Sequence, residues 1–357
     1  MAYKQRIEII KEIEKLRGSH VICYLTSVRQ NIGARIAQDA VRVFFDHLRY
    51  FPERPVKKID IFICSNGGDG TVPWRIISLL REFGATIGAI LPYRAYSAAT
   101  MLALGADEIV MHPFAEMGPI DPTVTNDYNP IDPQTNQKVG ISVEDVKAYI
   151  SFIKDTVGIR HEDELIRAVE ILSEKVHPLA LGNVERFIAQ SRMITRKILL
   201  THMSDESSKH KIDEIIETLA SKLYFHGHPI NRKEARDLGL QVAENPQPEL
   251  EELIWKLYID FEKELKNSEP YNPVGQLFSA APAPVPLNPA NQQQPTPAIP
   301  AGTSVEHNLR LAIVETSKLT SAFDVKKRLV VVGHQNLFEP IVREEHLSQG
   351  WNQRRAT

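Results

Sequence analysis

Short apolar runs alternate with amphipathic stretches through the front part of the chain. Ile7, Ile10, Ile13 and Leu16 recur at three-residue steps from Arg6 to Leu16, which predicts an amphipathic helix ended by Gly18. HVICYLTS (20–27) is short, apolar and β-branched, so a buried strand is expected there. Ile36 to Leu48 reads as helix, closed off by Pro52 and Pro55, and KIDIFICS (58–65) as a second strand running straight into NGGDG. The alternation continues with helix from Val72 to Phe83, strand at ATIGAIL (85–91), helix from Ser97 to Ala106 and strand at EIVMH (108–112). Strands and helices in turn, joined by short connections, predict an α/β fold with a parallel sheet covered by helices. From about Ser142 to Leu265 the pattern is helix-rich, broken at HGHPI (226–230). HNLRLAIVET (307–316) and KRLVVV (327–332) predict two further strands.

Composition narrows the class. The 357 residues are 43% hydrophobic and 24% charged with a formal net charge of -3, the make-up of a soluble globular protein with no basic excess for nucleic acid. Cys23 and Cys64 are the only cysteines and have no ligand-spaced partners, so neither a disulfide framework nor a cysteine zinc site is expected. No metal or cofactor is expected either. The longest uncharged run in the front part, Ala95 to Ala106, has 12 residues, short of the ~18–20 that span a bilayer. With no signal-peptide pattern in MAYKQRIEIIKEIEKLRG, the expected location is cytoplasmic, with any membrane reached only through a partner.

Proline is uneven. Nine of the 23 prolines fall between Pro270 and Pro300, and no residue from Pro270 to Val305 is charged. That stretch predicts an extended, disordered linker. The expected organisation is a main domain over 1–266, a linker over 267–304 and a C-terminal β arm over 305–357.

Two strand-to-helix turns can carry chemistry. In ICSNGGDG (63–70), Gly67 and Gly68 allow positive φ and leave N–H groups uncovered for an oxyanion; an ordinary tight turn is the alternative. In YRAYSAATMLALGAD (93–107), Ser97 stands where a helix begins. It is either a helix cap or a nucleophile whose oxyanion would meet the Ala98 N–H. The carboxyl ends of neighbouring parallel strands share one crevice, so both turns would face it.

IFICSNGGDG, AYSAATMLALGADEIVMHPFAEMGPIDP and HGHPINRKEARDLGL together resemble the serine dehydrogenase proteinase family. That family belongs to the Clp-protease/crotonase superfamily and is related to signal peptide peptidases. The resemblance runs from about residue 5 to 266. It implies a Clp-protease/crotonase-like ββα spiral with a helical second half, a homo-oligomer and a polypeptide substrate. It also implies Ser97 as nucleophile, the N–H groups of Gly68 and Ala98 as oxyanion hole, and Gly67 as the residue shaping the turn. MGPIDP (117–122), with Pro119 and Asp121, would lie beside the substrate channel, and His226 and His228 near its substrate end.

The sequence departs from the Ser-His-Asp triad of Clp-type members: the histidine position falls in MGPIDP and the aspartate position near Gly227. Signal peptide peptidases pair serine with a lysine, which must be deprotonated to act as a base. In SVEDVKAYISFIK (142–154), Lys147 shares a helical face with Val143, Val146, Ile150 and Ile153. It is the expected base, with a snorkelling lysine as the alternative reading. Lys138 in a polar loop, Lys154 further along the helix and His112 at a strand end are the other candidates. The leading reading is a serine-type endopeptidase. The alternatives are a non-catalytic oligomeric peptide-binding scaffold of the same fold and, less consistent with a serine at the turn, an acyl-CoA hydratase or hydrolase.

Overall fold

The computed structural model describes residues 2–120, 123–124, 127–133, 136–223, 227–244, 246–280, 299–336 and 339–355. Its framework follows from strands that are apolar on both faces. After helix α1 (Ala2–Arg17) comes β1 (His20–Thr26), in which Ile22 and Tyr24 pack to one side and Val21, Cys23 and Leu25 to the other. Helix α2 (Asp39–Leu48) leads to β2 (Val56–Cys64), where Ile59, Ile61 and Ile63 alternate in the same way with Phe62 and Cys64.

Helix α3 (Val72–Phe83), β3 (Gly84–Leu91), the two-residue β4 (Arg94–Ala95), α4 (Ala98–Ala103) and β5 (Glu108–Met111) complete the alternation. β1, β2, β3 and β5 are parallel neighbours, the arrangement the sequence predicts. β6 (Glu116–Met117) pairs with β4, and β7 (Thr123–Val124) with β8 (Ile141–Ser142).

The helical second half holds α5 (Val143–Ser151), a π-helical turn at Phe152–Thr156, α6 (Glu162–Lys175), α7 (Pro178–Leu199), α8 (Ser208–Glu217), α9 (Arg232–Asp237) and α10 (Pro248–Leu265). Helices α1 and α10 cover one face of the sheet through Ile10, Ile13, Ile254, Leu257 and Phe261. α2, α3 and α4 cover the other, with α7 and α8 packed over them through Ile194, Ile198, Ile212 and Ile215.

The end of the chain differs from expectation in two respects. The segment 267–280, expected to open the disordered linker, is ordered. Tyr271 is buried with Leu309, Leu311 and Val325, and helix α11 (Pro273–Ala280) buries Leu277 against Leu329 and Val331. These two apolar anchors fix a stretch whose lack of charge suggested a tether. The most proline-dense part, 281–298, lies outside the described residues.

The arm has three strands rather than two: β9 (Ser304–Glu315), β10 (Leu319–Asn336) and β11 (Glu339–Arg355). It extends the central sheet into the order β11-β10-β9-β1-β2-β3-β5, with β9 antiparallel to β1. The seam is held by buried charge: Arg6 donates to Glu315 at 2.7 and 2.9 Å and to Asp260 at 2.6 Å. His47 on α2 meets the hydroxyls of Thr316 and Ser321 at 3.4 and 3.0 Å, and burial lowers its pKa to about 3.

Candidate active site

The site begins where β2 ends. Ser65 is fully buried, and its backbone bridges to β4: its N–H donates to the Arg94 carbonyl (2.8 Å), and its carbonyl accepts from Tyr96 N–H (3.0 Å). Its hydroxyl contacts Thr26 Oγ1 at 2.6 Å and accepts the Gly67 N–H at 3.0 Å. One serine thus joins the glycine turn to the strand that delivers Ser97. Sequence reading passed over it, although it sits two residues before Gly67.

Beyond Ser65 the chain lies beside Ile36, whose N–H donates to the Gly67 carbonyl while its own carbonyl accepts from Asp69 N–H, both at 2.8 Å. In an extended pairing the residue between those two points its N–H and carbonyl the other way. That residue is Gly68. Side chains are excluded on this turn: a Cβ at Gly67 (φ +96°) would lie 2.6 Å from the Tyr96 carbonyl and 2.8 Å from Ser97 Cβ. A Cβ at Gly68 would collide with the backbone of Ile36.

Ser97 occupies φ +54°, ψ -116°, a conformation that costs a non-glycine residue energy. Its side chain makes no capping hydrogen bond to α4, so the cap reading does not describe it. A backbone hydrogen bond and one side chain hold the strained turn: Ser97 N–H donates to the Pro119 carbonyl (3.2 Å), and the single Thr100 hydroxyl proton is shared between the Ala95 (2.6 Å) and Gly118 (2.8 Å) carbonyls. Pro119 therefore abuts the nucleophile candidate. Among the described residues, no protein acceptor meets the N–H of Gly68 or of Ala98. Two N–H groups with no acceptor among the described residues thus lie beside a strained, half-buried serine, the arrangement that an oxyanion hole requires.

Ser97 and Gly68 line one cavity of about 530 Å³. Ile36, Arg35 and the 69–71 turn form one wall, and Met101 and Ile120 contribute apolar surface. Phe187, Gln190, Ser191 and Ile194 close the other side. These last four share one face of α7 at helical spacing. The sequence carried that periodicity, but nothing local said that the face covers this cleft.

The base candidates are dispersed. Lys147 is half-buried on α5, with its Nζ 3.4 Å from Ser221 Oγ. Arg192 donates to the same hydroxyl at 2.7 Å and adjoins the cavity-lining Ser191. Lys138 pairs with Asp127 at 2.5 Å on an exposed loop, and Lys154 is exposed on the π-helical turn. His112 stacks on Trp255 of α10 across the sheet, its Nδ1 accepting from Phe114 N–H, and burial lowers its pKa. None of the four lines the cavity with Ser97.

His228 is bonded to Glu234 at 2.8 Å beside α9 and does not line this cavity either. Asp121 and His226 lie outside the described residues. Burial pushes the Cys64 thiol up to about 12, which suits a core thiol rather than a nucleophile. Among the described residues no group of three or more His, Cys, Asp or Glu side chains could hold a metal ion, and no helix is long and apolar enough to cross a membrane.

Residues 1–156 match the family model of the ClpP-like SDH-type serine proteinases. Two uncharacterized proteins of Methanocaldococcus jannaschii are similar over more of the chain. One is 28% identical over 256 residues, which is 70% of this chain and 75% of its own. The other is 26% identical over 259 residues, 70% and 78% of the two chains. Among solved structures, a membrane-bound stomatin-specific protease aligns with a TM-score of 0.36 and 16% identity, covering 60% of this chain and 78% of its own.

Proposed function

We propose that this chain, a ClpP-like SDH-type serine proteinase in its residues 1–156, cleaves peptide bonds with Ser97 as its nucleophile. The observation that carries this reading is the strained φ of Ser97 beside two unmatched N–H donors on a shared cavity. Ser97 Oγ attacks the scissile carbonyl carbon while its proton passes to the base. The new oxyanion accepts from the N–H groups of Gly68 and Ala98. Collapse breaks the C–N bond, the departing amine takes the proton, and water hydrolyses the acyl-enzyme by the same route.

Lys147 is the proposed base. Supporting it are its half-buried place on α5 and its link through Ser221 and Arg192 to the helix that lines the cleft. Catalysis by this dyad requires the Lys147 amine to move from Ser221 to within reach of Ser97 when substrate binds, since apo catalytic contacts often tighten only in the complex. Exposed Ile166, Val169 and Ile171 on α6 fit assembly of several copies, which light scattering would measure.

Fluorophosphonate labelling tests the chemistry. Wild type should label, Ser97→Ala should not, and Lys147→Ala should label about 10²–10⁴ times more slowly. Labelling that survives Ser97→Ala overturns the nucleophile, and an unchanged rate in Lys147→Ala overturns the base. A folded wild type that binds peptides but neither labels nor cleaves is the peptide-binding scaffold instead.

A further inference from the structure

We infer that Arg35 makes the cleft selective for peptides with an acidic side chain beside the bond aligned with Ser97. This rests on the reading of the cavity as a peptide cleft. The position of Arg35 is set by its neighbour: Ile36 is held by two 2.8 Å backbone hydrogen bonds to the turn that carries Gly68. Arg35 is therefore placed one residue from the proposed oxyanion hole, and it lines the same cavity as Ser97.

At its two glycines the adjoining turn presents only backbone to the cavity. Gly68 and Gly70 have no side chains, so a peptide laid along the turn can approach closely and bring its own side chains towards Arg35. The charges around this position are unequal in their commitments. Asp69, also at the cavity, accepts from Thr71 N–H (2.8 Å) and Thr71 Oγ1 (2.7 Å), with Gln38 Nε2 at 3.5 Å. Gln38 in turn donates to Thr71 and accepts from Arg75.

Arg35 has no hydrogen bond or ion pair with any described residue. An unpaired guanidinium on a cleft wall offers a planar fork of donors matched to a carboxylate. Much of the remaining cavity surface is apolar, from Met101, Ile120, Phe187 and Ile194, and Asp69, held by neutral donors, is the other charged side chain of the lining. The class of ligand is therefore an extended peptide with aspartate or glutamate at one position near the reacting bond. Arg35 acts on binding, as a specificity residue, and takes no part in bond making.

The test uses the full chain and matched fluorescent peptides carrying Glu, Gln or Lys in turn at each position around a central bond. Affinity is read by anisotropy on Ser97→Ala protein, so the result does not depend on turnover. Hydrolysis and fluorophosphonate labelling are read on the protein with Ser97 intact. At one position, Glu should bind roughly 2- to 5-fold tighter than Gln, the modest gain of an ion pair with an exposed arginine, and the gap should shrink with salt.

In hydrolysis the same preference should appear in KM with little change in kcat. Adding Arg35→Ala should flatten the preference, Arg35→Lys should keep part of it, and Arg35→Glu should turn it towards Lys. A cleft that binds no peptide, that shows no acid preference, or whose preference survives Arg35→Glu overturns the inference. Peptides cleaved and Ser97 labelled without an acid preference overturn the role of Arg35 alone. An acid preference that follows Arg35 in a protein that never labels supports that role and overturns the peptidase reading instead.

Discussion

The two walls of the cleft are built by different means. On the side of the proposed oxyanion hole, position is fixed mainly by backbone: Ile36, Gly67 and Pro119 tie the turn and Ser97 together at 2.8–3.2 Å, the buried Ser65 hydroxyl adds one contact, and glycines exclude anything bulkier. On the α7 side, position comes from side chains on amphipathic helices. Lys147 and Arg192 converge on a single hydroxyl, while Ile166, Val169 and Ile171 of neighbouring α6 stay exposed. A wall made of backbone hydrogen bonds is preformed and has little room to adjust. A wall made of packed helices can shift by small sliding movements. The contrast suits the proposed reaction, in which charge stabilisation is in place beforehand and the base arrives with the substrate.

The largest effect should come from disturbing the preformed wall. Gly68→Ala sets a methyl group against the Ile36 backbone and must displace the oxyanion turn. Labelling of Ser97 should slow by about 10²–10³-fold, as for loss of an oxyanion donor. A near-normal rate would mean that this wall can move after all, and the comparison would fail.

A smaller effect sharpens the same point. Ser65→Ala removes the acceptor of the buried Gly67 N–H, at a cost of about 1–3 kcal/mol, while leaving the cavity's lining side chains in place. Urea unfolding should report the stability loss. Labelling should slow roughly tenfold through the rate at saturating probe rather than through probe affinity, because strain rather than binding surface is altered. If stability falls and labelling holds, Ser65 supports the fold without positioning the turn.

The smallest effect lies away from both walls, at the seam with the arm. His47 has a folded pKa of about 3, below its ordinary value of 6.5, because burial disfavours the charged form. Between those values the unfolded chain binds the additional proton. This group's contribution is therefore fully present above pH 6.5 and is lost as pH falls towards 3. From pH 7 to 5 the urea-derived stability should fall by at most ~1.4 kcal/mol per pH unit from this group, and His47→Gln should flatten that slope. Equal slopes in the two proteins would show that His47 does not carry the acid sensitivity.

What the sequence revealed divides along the same line as the two walls. The parallel core was legible because each strand is apolar on both faces and each helix on one, so local periodicity reports tertiary burial. The glycine turn and Ser97 were legible because backbone close to backbone demands residues without bulk. The strain at Ser97 left no compositional trace, and its resemblance to a helix cap concealed it. Cover from α7 was not legible, since the 187, 190, 191, 194 stripe reads the same whatever it packs against. Nor was the anchoring of 267–280 visible, where two residues, Tyr271 and Leu277, outweigh a composition that suggests disorder.

The seam between β9 and β1 also has a consequence for biosynthesis. Arg6 and Glu315 are 309 positions apart, yet each satisfies the other's buried charge. While the chain is being made, β1 can pair with β2 within about forty residues, but its other edge waits until β9 has left the ribosome. During that interval Arg6 lacks its Glu315 carboxylate and the β1 edge is open to any extended segment nearby. Chains stopped before β9 should therefore be sticky nascent products that call on chaperones, because the strand that seals β1 is made long after it.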